Sequence, residues 1–439
     1  MMLSESEFEA FLERKLTLDC VHIVLKQQVK NKPKTYKGPG TIFQTDTGGL
    51  KIKMFHKYRS GSEAFNDLAN DFNGSGLEPG QLIADENYYS MVARDMKGRK
   101  WRSKNIMVTG HTSMPASAKV IESKLKSVAF TQKLSHKNSV NKRKYWFCAD
   151  KIKKVPFNEF RKSEYSSSLT KCKLKIPVNV CEILRNDKYD EVSGTIPHKR
   201  NASDFGAVVL QSINIASGSI IKPRMRVLTN LSNSVTTIYS ENTDDPVAKI
   251  QEPIPCVSPP HVVNLEKFVS CYVSHFKNPN SQMAGYWYRI IRSSSDNLEN
   301  MALVISTCIE GLLKEYFPKY GLPDSEYLTQ VINAKKTLKN VDLGERVRQR
   351  IMSSLGGKNT SSAKGALYQL VEDGVISANL VGTWISIRNK AAHAAKLENN
   401  DIDIQNILND YFGCLELFYL LMMSVISYEG AMYHLSKIG

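Results

Sequence analysis

Asp245-Pro246-Val247-Ala248-Lys249-Ile250-Gln251-Glu252-Pro253-Ile254-Pro255-Cys256-Val257-Ser258-Pro259-Pro260 is the stretch on which the fold turns. Proline lacks the N–H that helices and ladders use, and it pushes the residue before it away from helical backbone. Five prolines in this span break any regular element, so residues 251–263 read as a linker between a domain at 1–250 and another at 264–439.

Upstream of the linker the apolar residues alternate. Leu50, Ile52 and Met54 would share one strand face, with Lys51, Lys53 and Phe55 on the other. The turn signal Asp46-Thr47-Gly48-Gly49 precedes them, and Thr41 to Thr45 would be the hairpin partner. Further strands are expected at Gln81 to Ile83, Tyr89 to Ala93, Ile106 to Thr109, Val208 to Ile213 and Arg224 to Thr229. Downstream the period becomes helical. Leu298, Met301, Ile305, Cys308 and Leu312 recur at three and four, with Asp296 and Glu299 spaced as a capping box and Pro318 as a stop. Similar stripes begin at Leu265, Leu343, Ala363, Leu380 and Ile404. The expected class is α+β: a β-rich N-terminal domain followed by an all-α bundle, whose sites would be built from facing helices.

The 439 residues are 42% hydrophobic and 23% charged, which excludes wholesale disorder, a collagen-like repeat and a disulfide miniprotein. Charge is uneven. Residues 101–200 hold 22 basic and 8 acidic residues, or +14 of the formal +16, so an anionic partner is expected for the first domain. Eight scattered cysteines form no C-x-x-C pair and read as thiols of a reducing cytoplasm. The opening residues alternate acidic and apolar types unlike a signal peptide, and Tyr411 to Tyr428, interrupted by Glu416, reads as a buried helix. No membrane partner, metal or cofactor is expected.

Gly356-Gly357-Lys358 lacks the spacing of a phosphate-binding loop, and there is no G-x-S-x-G, H-E-x-x-H or G-x-G-x-x-G signal. What remains is Arg388-Asn389-Lys390-Ala391-Ala392-His393, an R-N-x-x-x-H run in an otherwise apolar helix. Asn389 and His393, four apart, share a face, while Arg388 lies about 140° around from His393. Histidine titrates near neutral pH and can take a proton from a ribose 2′-hydroxyl or give one to the leaving 5′-oxygen. Guanidinium stays charged and would stabilise the extra negative charge of the transition state, with Asn389 orienting by hydrogen bonds. One histidine cannot fill both proton-transfer roles. Two chains meeting on a two-fold axis would supply two, so a homodimer is expected. The same residues also fit an interhelical pair satisfied inside the bundle.

At these residues the chain resembles the HEPN superfamily of all-helical ribonuclease domains, over about 265 to 428. Within it the likeness is to ApeA-like antiphage proteins, in which a β-rich domain precedes the HEPN bundle. Gly38-Pro39-Gly40-Thr41-Ile42-Phe43 with Gly49-Leu50-Lys51-Ile52-Lys53-Met54-Phe55 is similar to their opening hairpin. The resemblance implies a metal-independent endoribonuclease acting on host RNA, tRNA being one substrate, and silent until a phage-encoded trigger is sensed. Arg388, Asn389 and His393 match the motif; Lys390 lies within it, and Glu310 falls where such domains often carry an acidic residue.

In the first domain Lys142, Arg143, Lys144, Tyr145 and Trp146 interleave cations and aromatics as single-strand nucleic-acid surfaces do, so RNA contact is expected there. The run equally fits a strand with aromatics in the core and lysines in water. Lys97, Arg99, Lys100, Trp101, Arg102 and Lys104 form a second such cluster. Two other functions fit the residues: a catalytically silent dimerisation or nucleic-acid-binding module, and a basic scaffold for an acidic partner.

Overall fold

The computed structural model describes residues 3–73, 84–113, 118–134, 142–162, 167–176, 179–197, 200–241, 248–322, 325–356, 362–392 and 401–437. The chain forms two compact units, one of Met1–Lys153, Phe157–Gly206 and Ile221–Pro246, the other of Lys154–Pro156, Ala207–Ile220 and Val247–Gly439. The helical unit thus also takes two pieces that a boundary read from prolines leaves upstream.

The first half begins with α1 (Glu5–Leu12), β1 (Thr17–Gln27), β2 (Thr35–Gln44), β3 (Leu50–Lys57), α2 (Gly61–Asn73), β4 (Tyr89–Asp95), β5 (Lys100–Ile106) and β6 (Thr109–Ser113). There follow β7 (Ala118–Leu125), β8 (Ser127–Lys133), β9 (Lys144–Ala149), β10 (Glu159–Lys162), β11 (Ser167–Ile176), β12 (Asn179–Arg185) and β13 (Asp190–Thr195). Helix α3 (Ala202–Ser217), β14 (Pro223–Thr229) and β15 (Asn233–Tyr239) complete it. The strands form one antiparallel sheet in the order β10-β11-β12-β13-β9-β14-β15-β8-β5-β4-β1-β2-β3-β7-β6.

Alternation explains these strands. Leu50, Ile52 and Met54 are buried while Lys53 and Phe55 are exposed, and Gly48 takes the positive φ of +82° that the turn into β3 requires. Ile23, Leu25, Ile42, Ile52 and Trp101 fill the sheet's core. Tyr89 to Ala93 and Arg224 to Thr229 fall in β4 and β14, and Ile106 to Thr109 joins the end of β5 to the start of β6. Gln81 to Ile83 lies outside the described residues. Val208 to Ile213 is a correction: it lies in α3, where nearly every position is buried, so its β-branched residues carry no signal of which period they follow.

The helical unit has α4 (Val262–His275), α5 (Gln282–Ser293), α6 (Leu298–Tyr316), α7 (Ser325–Asn340), α8 (Glu345–Gly356), α9 (Ala363–Glu372), α10 (Ala378–Ala392) and α11 (Asp401–Val425). The expected capping box of Asp296 and Glu299 does not form, because the N-cap is one residue later. Asn297 caps α6 by accepting from the Asn300 N–H at 2.8 Å, and Asp296 instead accepts from the Asn300 side chain at 2.5 Å. Helices α6, α10 and α11 pack on one another. At Gly413 of α11 an added Cβ would lie 2.7 Å from Thr383 Cγ2, so the missing side chain lets α10 approach closely. The stripe at Leu343, Val347 and Ile351 is no core face: Val347 of α8 is 52% exposed. Among the described residues no helix is long and apolar enough to cross a membrane.

Candidate functional site

The residues of α10 sort themselves by helical phase. Leu380, Val381, Trp384 and Ile387 recur at one, three and three, all buried, and the Trp384 Nε1–H donates to the Ser306 carbonyl of α6 at 3.4 Å. With that stripe turned into the bundle, Arg388, Asn389 and Lys390 emerge exposed at the helix's C-terminal end. The Arg388 side chain is 52% exposed, and its guanidinium carbon lies 5.6 Å from the centroid of the Trp384 ring one turn earlier. Its Nε–H donates to Glu310 Oε1 of α6 at 2.5 Å. That commits one of the five N–H donors of a guanidinium, and among the described residues the terminal fork meets no second acceptor.

The structure therefore brings Glu310 to Arg388, residues 78 apart in sequence. Lys390 is drawn elsewhere: its Nζ donates to Asp410 Oδ2 of α11 at 3.1 Å, and Ser386 Oγ donates to the same oxygen at 2.7 Å. Asp410 and Ser386 have no sequence signal, since an interhelical partner is set by packing angle. His393 lies outside the described residues.

The basic run of the first unit divides. Lys142 and Lys144 are exposed, and an Arg143 terminal nitrogen donates to the Pro197 carbonyl. Tyr145 is a correction, because it is only 1% exposed, with its ring 5.8 Å from that of Phe147 and 6.0 Å from that of Phe205. Strand alternation sends it to the core, where no base can reach its face. Trp146 points the other way and is half-buried, its Nε1–H donating to Glu191 Oε2 at 2.9 Å. It lines a cleft of about 500 Å3 with Met225, Val227 and Thr236. The second cluster divides similarly. Trp101 is fully buried, and Arg99 is held bidentately by Glu7 at 2.6 and 2.8 Å and by Asp95 at 2.7 Å, which pins α1 to the sheet. Lys100, Arg102 and Lys104 stay exposed.

Among the described residues no three His, Cys, Asp or Glu side chains gather as metal ligands. Burial pushes the thiols of Cys20, Cys148, Cys181 and Cys256 up to about 12, which keeps them protonated and unreactive as nucleophiles. No protein-family model, curated protein or solved structure matches the chain.

Proposed function

We propose that this chain is a HEPN-type endoribonuclease, cutting host RNA, with tRNA as one substrate, by attack of a ribose 2′-hydroxyl on the adjacent phosphate. The observation that carries the reading is the Arg388–Glu310 pair: an exposed guanidinium at the end of α10, fixed through Nε by a carboxylate of α6, with its fork left over among the described residues. Arg388 would stabilise the phosphate's developing charge, Asn389 would orient it, and His393 would move the proton. Glu310 is a positioning residue. Two chains complete the site, so the active form is a homodimer, and an antiphage role with a phage-encoded trigger follows the family resemblance.

Purified protein incubated with tRNA in chelator, beside Arg388→Ala and His393→Ala, tests this. Cutting that survives chelation, vanishes in both variants and leaves 2′,3′-cyclic phosphate ends supports it; cutting by either variant at the parent rate refutes it. The same ion pair also suits a purely structural tie between α6 and α10 in a silent dimerisation module. Binding of RNA with no cutting by any of the three proteins would favour that second reading.

A further inference from the structure

Six adjacent strands, β5-β4-β1-β2-β3-β7, bury one face in the core and leave the other in water. Exposed on that outer face are Lys26, Lys37, Lys53, Arg94, Lys100 and Arg102, joined by further lysines on β3, β5 and β7. The outward carboxylates of these six strands are Asp19 and Glu122. Asp19 accepts from Thr41 Oγ1 at 3.2 Å, and Glu122 pairs with Lys51 at 3.1 Å. Register sets like charges directly opposite each other at two places, Lys100 against Arg94 and Lys51 against Lys124, and an opposite pair at one, Lys53 against Glu122. The like pairs oppose sheet stability, so the arrangement gains only when a polyanion lies across it.

We infer that this face is a dock for the phosphate backbone of structured RNA, separate from both the Trp146 run and the Arg388 site. Same-face cations stand two residues apart, ~7 Å, on β3 (Lys51, Lys53) and β5 (Lys100, Arg102), and β4, β1, β2 and β7 each add one across strands ~5 Å apart, which calls for a partner with repeated charge. Of the exposed apolar side chains on these strands, Val21 at 52%, Phe55 at 50% and Val92 at 37%, only Phe55 is aromatic, too few to stack successive bases. The face therefore reads backbone and shape, as proteins do on double-helical RNA. Choosing RNA over DNA rests on the cleavage chemistry proposed above; the basicity of the face does not.

The test uses the full chain with Arg388→Ala, so that the probe survives, and a fluorescent RNA hairpin read by anisotropy against salt. Reversing Lys53, Arg94, Lys100 and Arg102 to Glu should weaken binding by about tenfold or more at low salt and reduce the slope of log K against log salt by about three. Reversing four exposed cations of α7 and α8, Lys336, Lys339, Arg346 and Arg350, should change neither. Circular dichroism and melting report folding, and a Gln version of the four sheet positions replaces the Glu version if that unfolds. Unchanged affinity and slope in the folded sheet variant overturns the inference. So does displacement of the hairpin by polyglutamate at equal charge, which would assign the face to an acidic protein. Cleavage is scored separately in chains with Arg388 intact: hairpin binding without cutting counts against the proposed nuclease and leaves the dock standing.

Discussion

Arg388 makes its bond to Glu310 through Nε, which decides how it would meet a phosphate. Replacing Glu310 by Gln keeps the shape but removes the charge that holds the guanidinium. RNA cleavage should fall about tenfold while the melting temperature barely moves, because an ion pair this exposed contributes only ~0–1 kcal/mol. Steady-state cleavage with a parallel thermal melt checks both. A buried counterpart behaves differently. Asp67 of α2 is 5% exposed and takes bonds from Tyr58 at 2.5 Å and from Lys119, itself 2% exposed, at 3.0 Å. Burial alone would raise its pKa, but Lys34, Tyr58 and Lys119 outweigh it and hold the carboxyl at about 2. A carboxyl depressed in the folded state stabilises fully above its unfolded value of about 3.9 and loses that contribution as pH falls toward 2. Denaturant melts between pH 5 and 2 should show the parent losing stability through this window and Asp67→Asn losing less. At neutral pH, Asp67→Ala should cost about 3–5 kcal/mol, since it removes the carboxylate that neutralises buried Lys119.

At the level of elements, α11 shows how a sequence pattern and its resolution differ. The apolar run from Tyr411 to Tyr428 contains one carboxylate, Glu416, which is 5% exposed and accepts from the Ser436 N–H at 2.7 Å and pairs with His434 at 3.1 Å. Burial raises its pKa, and the bonds from Ser436 and His434 bring it below the ordinary carboxylate value. It ties the chain's last turn, with fully buried Leu435, back onto α11. Glu416→Ala should cost about 1–3 kcal/mol by leaving the Ser436 N–H without its acceptor, measured by chemical denaturation. The strands β2 and β3 are legible because one face is wet and the other dry. Helix α3 is not, being buried on nearly all sides. The stripe of α5 is legible after the fact, with Met283, Trp287, Ile290 and Ile291 buried at helical spacing from a Ser281 cap. For the candidate site, the exposure of Arg388 and Asn389 follows from the phase of Trp384 and Ile387. The Lys390–Asp410 tie does not, because nothing local specifies which helix lies alongside.

For the whole molecule, charge and symmetry matter most. The +14 surplus of residues 101–200 is not one patch: the structure spends Lys119 and Arg143 on internal bonds and leaves Lys100 and Arg102 in water, on the same sheet as the lysines of β3 but four strands away. Composition gives the sum, and strand alternation decides which cations reach a partner. The claim on which the function depends is that one chain holds half of a site. Parent protein mixed with His393→Ala, after subunits exchange, gives mixed dimers with a single histidine. If each scissile phosphate needs both chains, cleavage per parent chain in an equal mixture should fall to about one half, and total activity to about one quarter of that of the same total protein. Total activity that falls only to about one half, in step with dilution of the parent, would contradict a shared two-chain site.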